Sequence, residues 1–253
     1  AGVTSHVFLY KDYMPSVYSD AVQRGSNIIG YREGRELMSL LREALEKSPE
    51  PGFFHVYWGQ VDKAGHVYGP NSPEHRDSIK SISNLLHYGL LNELDKTVAH
   101  DTMLILTADH GQITVAHDNI IYLEDYPLVW DCLQKNKFGE LIMPTGSPND
   151  VLLYIQPEKI DMVVDYLKRE LQDIAWIMTI EDAVRDGLFG LGNATDRFRK
   201  RAGNILILPF PHYQVWFDPE GKRKYNQMGL HGGLSQEEMI VPLAFASLSD
   251  LMK

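Results

Sequence analysis

The amino-acid sequence predicts an α/β protein: a mostly parallel sheet sandwiched by helices, with a small α+β insert. Three observations carry that expectation. Short apolar runs such as Met103-Leu-Ile-Leu-Thr107 and Ile205-Leu-Ile-Leu208 recur through the chain, and runs of that length and composition read as buried strands. Segments of helical periodicity alternate with them, the pattern of a sheet with helices on its faces. No solenoid-length repeat and no low-complexity stretch breaks the alternation.

The elements follow in order. Residues 32–47 hold good helix formers, with Leu37, Leu40, Leu41 and Leu45 as an apolar stripe. An aromatic strand runs through Phe53-Phe-His-Val-Tyr57. A second long helix begins at Ser72-Pro-Glu, with Ser72 as cap and Pro73 in the first position. It is expected to turn Ile79, Ile82, Leu86, Leu90 and Leu94 toward the core and to deliver the chain to the buried parallel strand at Met103, a βαβ arrangement. From about 146 to 203 the pattern changes to strand (151–155), helix (158–171), strand (174–180) and short helix (181–186). That packet reads as an insert or cap, 146–203, between a first core part, 1–145, and a last core part, 204–253. Residues 204–210 return to a buried strand, and 239–245 read as another.

Composition frames the function classes. With 253 residues, 44% of them hydrophobic, the chain can bury a sizeable core. A formal charge of −10 disfavours binding of a nucleic-acid polymer through a basic surface, yet leaves nucleotide substrates open because metals neutralise phosphate locally. The single cysteine, Cys132, excludes an intrachain disulfide and reads as a small buried apolar side chain. No apolar run reaches transmembrane length.

Chemistry-bearing residues gather at strand ends, where α/β proteins place ligands and catalysts. The Met103 strand stops abruptly at Asp109-His110-Gly111. The aromatic strand leads to Asp62, followed four residues later by His66, a spacing that puts a carboxylate and an imidazole on one helix face. His231 is flanked by Gly229 and by Gly232-Gly233, which let the backbone bend tightly around a ligand. Asp62, His66, Asp109, His110 and His231 are therefore the candidate metal ligands. A set of nitrogen and oxygen donors suits zinc, manganese or iron rather than a structural thiolate cage. Five ligands exceed what one open zinc site uses, so two divalent metals are expected, in a hydrolytic centre.

Other residues read more plainly. His55 falls within a strand, His75 and His87 within a helix, and His100 beside Asp101 in a loop, all structural or solvated. His117-Asp118 reads as a surface pair or as support behind the ligands. The basic run Arg197, Arg199, Lys200 and Arg201 reads as a solvated loop ahead of a phosphate contact. Trp58, Tyr68 and Tyr122 are candidates to line a pocket for a base, although aromatics near strand ends are more often core.

Asp62-Lys-Ala-Gly-His66, then Thr107-Ala-Asp-His-Gly111, then His231-Gly-Gly with Val241-Pro242 after it resembles the alkaline phosphatase superfamily. It looks most like the type I phosphodiesterase/nucleotide pyrophosphatase branch, with phosphonoacetate hydrolase as a near relative. The resemblance implies an alkaline phosphatase-like fold. It also implies one metal, usually zinc, at Asp62, His66 and His231, and a second held partly by Asp109 and His110. The implied substrate is a small phosphorylated molecule, with a nucleotide phosphodiester as the leading expectation. A phosphonate hydrolase and a metal-dependent phosphomutase are the alternatives within the superfamily.

One departure from the pattern shapes the expectation. Family members carry a metal-binding aspartate and then a threonine or serine nucleophile well before the Asp-x-x-x-His motif, whereas only 61 residues precede Asp62. The opening Ala1-Gly-Val-Thr-Ser-His-Val-Phe-Leu-Tyr10 resembles an interior strand of the family, with Thr4 and Ser5 as its early hydroxyls. The chain thus reads as a carboxy-terminal portion of a longer enzyme, complete at one metal position and lacking the nucleophile. On that reading it is inactive alone, and a catalytically inactive metal-binding fragment is the alternative outside enzymology.

Overall fold

The computed structural model describes residues 2–48, 50–218 and 226–252. Ala1, the first residue of the expected opening strand, lies outside the described residues. Residue contacts gather the chain into two compact units: Ala1–Gly65 with Asn71–Ala108 and Pro242–Lys253, and His66–Pro70 with Asp109–Val241.

The first unit is built on three parallel strands: β1 (Thr4–Tyr10), β2 (Asn27–Tyr31) and β3 (Gly52–Val56), in the order β2-β1-β3. His6 of the central strand pairs with Asn27 on one side and with Phe54 on the other. Between the strands run helices α1 (Val17–Val22) and α2 (Gly34–Lys47). The leucine stripe of α2 does what its spacing predicts. Leu37 and Leu41, one turn apart, are buried together with Met38, and Leu40 and Leu45 pack at the edge of the same core as Phe8 and Tyr31. Each fully buried leucine contributes roughly 1.5–3 kcal/mol relative to an exposed one.

After β3 the chain enters α3 (Gln60–Tyr68) and then α4 (Pro73–Asn84). The Ser72 hydroxyl accepts a hydrogen bond from His75 N at 3.1 Å, and Pro73 occupies the first turn, as the sequence predicts. The helix continues as a π-helical stretch, Leu85–Leu91. That change of winding alters the expected stripe: Leu90 and Leu94 are buried and Ile82 and Leu86 half-buried, but Ile79 is exposed. A π turn holds more residues than an α turn and rotates the apolar face between its two ends.

A short helix, α5 (Lys96–His100), capped by Asp95, leads to β4 (Met103–Thr107). The chain then forms the second unit through β5 (Ile113–Thr114), β6 (Ile120–Tyr122), α6 (Pro127–Asp131), β7 (Thr145–Ser147), β8 (Asp150–Leu153), α7 (Ile160–Glu170), β9 (Ala175–Thr179), α8 (Ile180–Arg185), α9 (Asp196–Ala202), β10 (Ile205–Pro209), β11 (Gln214–Trp216), β12 (Gly229–Leu230) and α10 (Gln236–Met239). Its main sheet is antiparallel, ordered β7-β8-β10-β9. Val163 and Leu167 of α7 pack with Leu153, Ile205 and Ile207 of the sheet and with Cys132 in one core. The expected strand-helix-strand-helix packet is present, and β10, expected to follow it as a core strand, lies between β8 and β9. β11 runs parallel to β6, and β12 antiparallel to β5.

The chain returns to the first unit with β13 (Leu243–Ser247) and α11 (Leu248–Leu251). Two expectations are corrected here. β4 is antiparallel to β13, and its Met103, Ile105 and Leu106 are exposed while Leu104 packs at the core. The register sets Ile105 opposite Phe245, so the 63% and 74% exposed side chains share one bare face. Among the described residues β13 is the only strand partner of β4, so β4 lies at a sheet edge rather than inside it. The strand expected from Met239 begins instead at Leu243, because Ser235 and Glu238 form a capping box that winds 236–239 into helix. No helix of the described residues is long and apolar enough to cross a membrane.

Candidate metal centre

Helix α3 is one continuous turn-and-a-half beyond Asp62, and its periodicity sets Asp62 and His66 on one face. The end of this helix is stitched to the segment that leads through β12 to His231. Met228 N donates to the His66 carbonyl at 2.8 Å, and His66 Nδ1 lies 2.7 Å from the Gly229 carbonyl. A carbonyl can only accept, so Nδ1 carries the proton and the lone pair of His66 is on Nε2. Leu230 of β12 pairs with Ile113 of β5, which holds the segment ending in His231 beside the Asp109-His110-Gly111 segment.

The outcome is a three-residue group. One ligand atom each from Asp62, His66 and His231 lie within 4.8 Å of one another, all three residues half-buried. The His66 and His231 ring centroids are 5.1 Å apart. Two imidazoles and one carboxylate make a donor set of the kind that open, catalytic zinc sites use, so the residues present fit a divalent transition metal.

His110 and Asp109 stand differently. The His110 ring lies flat on that of His231, with centroids 3.5 Å apart and planes 12° from parallel. Its Nδ1 is 2.9 Å from the Gly111 carbonyl, which by the same reasoning protonates Nδ1 and puts the lone pair on Nε2. That Nε2 is 3.6 Å from Asp109 Oδ1, and the Asp109 side chain is 67% exposed against 25% for His110. Neither belongs to the three-residue group. The structure thus draws three of the five candidates together, sets a fourth against them and leaves the fifth facing solvent.

Four residues beside the centre escaped sequence reasoning. Ser147 donates its hydroxyl and backbone N–H to Asp150 Oδ1, and a Cβ on Gly232 would sit 2.8 Å from Ser147 Oγ. Burial pushes the Asp150 carboxyl above its ordinary value, the Ser147 hydrogen bonds pull it back, and Glu238 and His231 act in opposite directions. Asn149 and Glu238 are buried polar side chains. Ser235-Gln-Glu-Glu238 carried a readable signal, the capping-box pattern. Ser147, Asn149 and Asp150 carried none, since they reach this place through a hairpin 80 residues away from His231 in sequence.

The remaining candidates are placed plainly. Trp58 stacks on Tyr31 at the core of the first unit, with ring centroids 6.3 Å apart. Tyr68 is exposed and Tyr122 half-buried on β6. His117-Asp118 forms a short 3-10 turn. The basic run is helical rather than a loop, capped by Thr195, and Arg199 is paired with Glu181 at 2.7 Å.

A family model for type I phosphodiesterase/nucleotide pyrophosphatase matches residues 4–234. The chain belongs to the type I phosphodiesterase/nucleotide pyrophosphatase family. Among its curated relatives, the Bis(5′-adenosyl)-triphosphatase enpp4 of Xenopus laevis is 31% identical over 127 residues, covering 48% of this chain and 27% of the relative. Human and murine ectonucleotide pyrophosphatase/phosphodiesterase 5 have the same fold, with TM-scores of 0.67 and 0.66 at 17% identity. Each match covers 96% of this chain and 60% of the other, and the murine structure, an inactive variant, is in complex with AMP. Phosphonoacetate hydrolase from Sinorhizobium meliloti 1021, in complex with phosphonoformate, matches with a TM-score of 0.59 at 17% identity, over 96% of this chain and 65% of that one. The family and these neighbours establish the alkaline phosphatase-like α/β fold. The chain spans about a quarter of the length of the Xenopus relative and under two thirds of the structural neighbours.

Proposed function

We propose that this family member is part of a metal-dependent hydrolase of phosphate esters, with phosphodiester or nucleotide pyrophosphate bonds as its substrates. The observation that carries the reading is the convergence of Asp62, His66 and His231. These three would hold one divalent metal, with zinc proposed and manganese or iron accepted by the same donors. Asp109 and His110 are proposed to contribute to a second. When bound, such metals act as Lewis acids toward a phosphoryl oxygen and stabilise the charge that develops on it.

The chain's own residues supply orientation. Gly229 fixes the His66 tautomer through its carbonyl, and Gly111 does the same for His110. The formal charge of −10 would slow approach of a phosphate ester, so the metal positions are needed to attract it.

The attacking hydroxyl is proposed to come from residues other than 1–253. Thr4 and Ser5 begin β1, pairing beside Gly52 and Phe53, whereas Asp62 follows the opposite, carboxy end of the parallel β3. They are therefore at the wrong end of the sheet to act at the centre. The 146–203 packet is proposed as the insert that shapes substrate choice, because its Ser147 and Asp150 face the Gly232 backbone next to His231.

Metal analysis combined with an assay on bis-p-nitrophenyl phosphate and AMP esters tests the reading. One bound metal and no turnover by the 253-residue chain is the expected result. Rapid turnover would overturn the missing nucleophile, and absence of any bound metal would overturn the hydrolase assignment.

A further inference from the structure

Glu238 is a buried carboxylate, 4% exposed, on the four-residue helix α10. Its hydrogen bonds reach in three directions. Oε1 accepts from Gly233 N at 2.9 Å, two residues beyond His231, and from Asn149 Nδ2 at 2.7 Å, in the hairpin between β7 and β8. Oε2 accepts from Ser235 Oγ at 2.7 Å. The Glu238 backbone carbonyl accepts from Gly111 N at 2.7 Å, the residue that follows His110.

Capping alone does not account for this arrangement. In a capping box the glutamate needs only to reach back to the cap residue, which the Ser235 contacts already achieve. Oε1 is spent elsewhere, on two donors from two other segments. The close approach is also built into the sequence. A Cβ on Gly233 would come within 2.8 Å of Glu238 Oε2, and one on Gly111 would run into the Glu237 carbonyl oxygen. Both glycines therefore serve to bring their loops against this one helix.

We infer that Glu238 is the positioning residue of the metal centre. Its carboxylate ties the His231 loop to the insert hairpin and its backbone carbonyl holds the His110 loop, and so the residue fixes the orientation of His231 and its stacking with His110. A buried carboxylate suits this task because it accepts several N–H and O–H donors at once and each such bond is charge-assisted. The inference rests on the metal reading above, since it concerns how the ligands of that centre are held. It also couples the insert to the ligands, because Asn149 belongs to the hairpin and its amide reaches the same oxygen as Gly233 N.

The test is titration of the metal-free chain with Co(II), followed by visible absorption and calorimetry, on wild type, Glu238→Gln, Glu238→Ala and Asn149→Ala. Circular dichroism of the metal-free forms monitors folding. Groups that orient ligands from behind typically change metal affinity by about 10- to 100-fold when removed. Glu238→Ala is expected to weaken Co(II) binding within that range and to change the d–d band intensity that reports coordination geometry. Glu238→Gln keeps the side-chain length and one acceptor oxygen, so it is expected to recover part of the loss. Asn149→Ala removes only the tie to the insert and is expected to weaken binding less than Glu238→Ala, with native circular dichroism. Should Glu238→Ala fail to fold, Glu238→Gln and Asn149→Ala decide the matter. Wild-type affinity and spectrum in the folded variants would overturn the inference while leaving the metal reading intact. Wild-type protein that takes up no Co(II) would overturn the metal reading itself, and the inference with it.

Discussion

The imidazole of His110 stacks on that of His231, their planes 12° from parallel and their centroids 3.5 Å apart, yet His231 shares a ligand-sized space with Asp62 and His66 and His110 does not. Two adjacent rings of the same kind thus occupy different positions relative to the three-residue group. His110→Ala is expected to keep one metal per chain with affinity within about tenfold of wild type, as for a group that supports a ligand. His231→Ala, by contrast, is expected to abolish stoichiometric binding, as read by metal content after gel filtration. Equal losses in the two variants would place His110 in the first metal's own ligand set.

The loop that carries His110 depends on a close backbone approach. Gly111 leaves no room for a Cβ, because the Glu237 carbonyl oxygen occupies that position. Gly111→Ala is expected to destabilise the protein by about 1–3 kcal/mol, the usual cost of overpacking, in urea unfolding. Gly139→Ala makes a useful contrast. Nothing lies within 4 Å of its Cβ position, but φ is +84°, so its expected cost is strain alone, about 1–2 kcal/mol.

Each unit has its own core, and truncations should report on each separately. Leu37 in the first and Leu153 in the second are fully buried. Replacement of either by alanine is expected to cost about 2–5 kcal/mol. Limited proteolysis of the two variants is expected to open different segments: near 34–47 for Leu37→Ala, and near 150–171 for Leu153→Ala.

A pH effect is expected at the start of α8. The Thr179 hydroxyl donates to Asp182 Oδ2 at 2.7 Å and Arg185 pairs with Oδ1 at 2.7 Å, and these hold the Asp182 carboxyl below its ordinary value of 3.8. A lowered folded-state value means that the stabilisation is fully present above 3.8 and is lost as pH falls through the lowered value. Asp182→Asn should therefore lower Tm at pH 6 by a small amount, given how exposed the pair is, and the difference from wild type should vanish toward pH 2. A difference that grew on acidification would refute the assignment.

Much of the architecture was legible because helical periodicity and cap chemistry are local. The α2 stripe, the Ser72 cap and the strand-helix-strand-helix packet all follow from neighbours within a few residues. What escaped was set by distant packing. The direction and exposure of β4 depend on β13, some 140 residues later, and the bonds that Glu238 makes to Asn149 and Gly233, beyond its local capping box, likewise come from distant segments. The π-helical stretch, which includes Gly89, changes the winding between Ile79 and Leu90, and a stripe read at uniform α-helical spacing puts the exposed Ile79 on the buried face. At the site, the Asp62 and His66 spacing was readable in sequence, because a helix imposes it. The proximity of His231 followed only from the family resemblance and not from any local spacing, since it comes from the β5–β12 pairing and from two hydrogen bonds at the end of α3.

Calorimetric titration of the metal-free 253-residue chain with Zn(II), run in parallel on Asp62→Asn, His66→Ala and His231→Ala, is the most direct test of the central claim. The expected result is one tightly held ion per wild-type chain and loss of that ion in all three variants. Wild-type protein without a binding isotherm, or variants that bind as the wild type does, would contradict it.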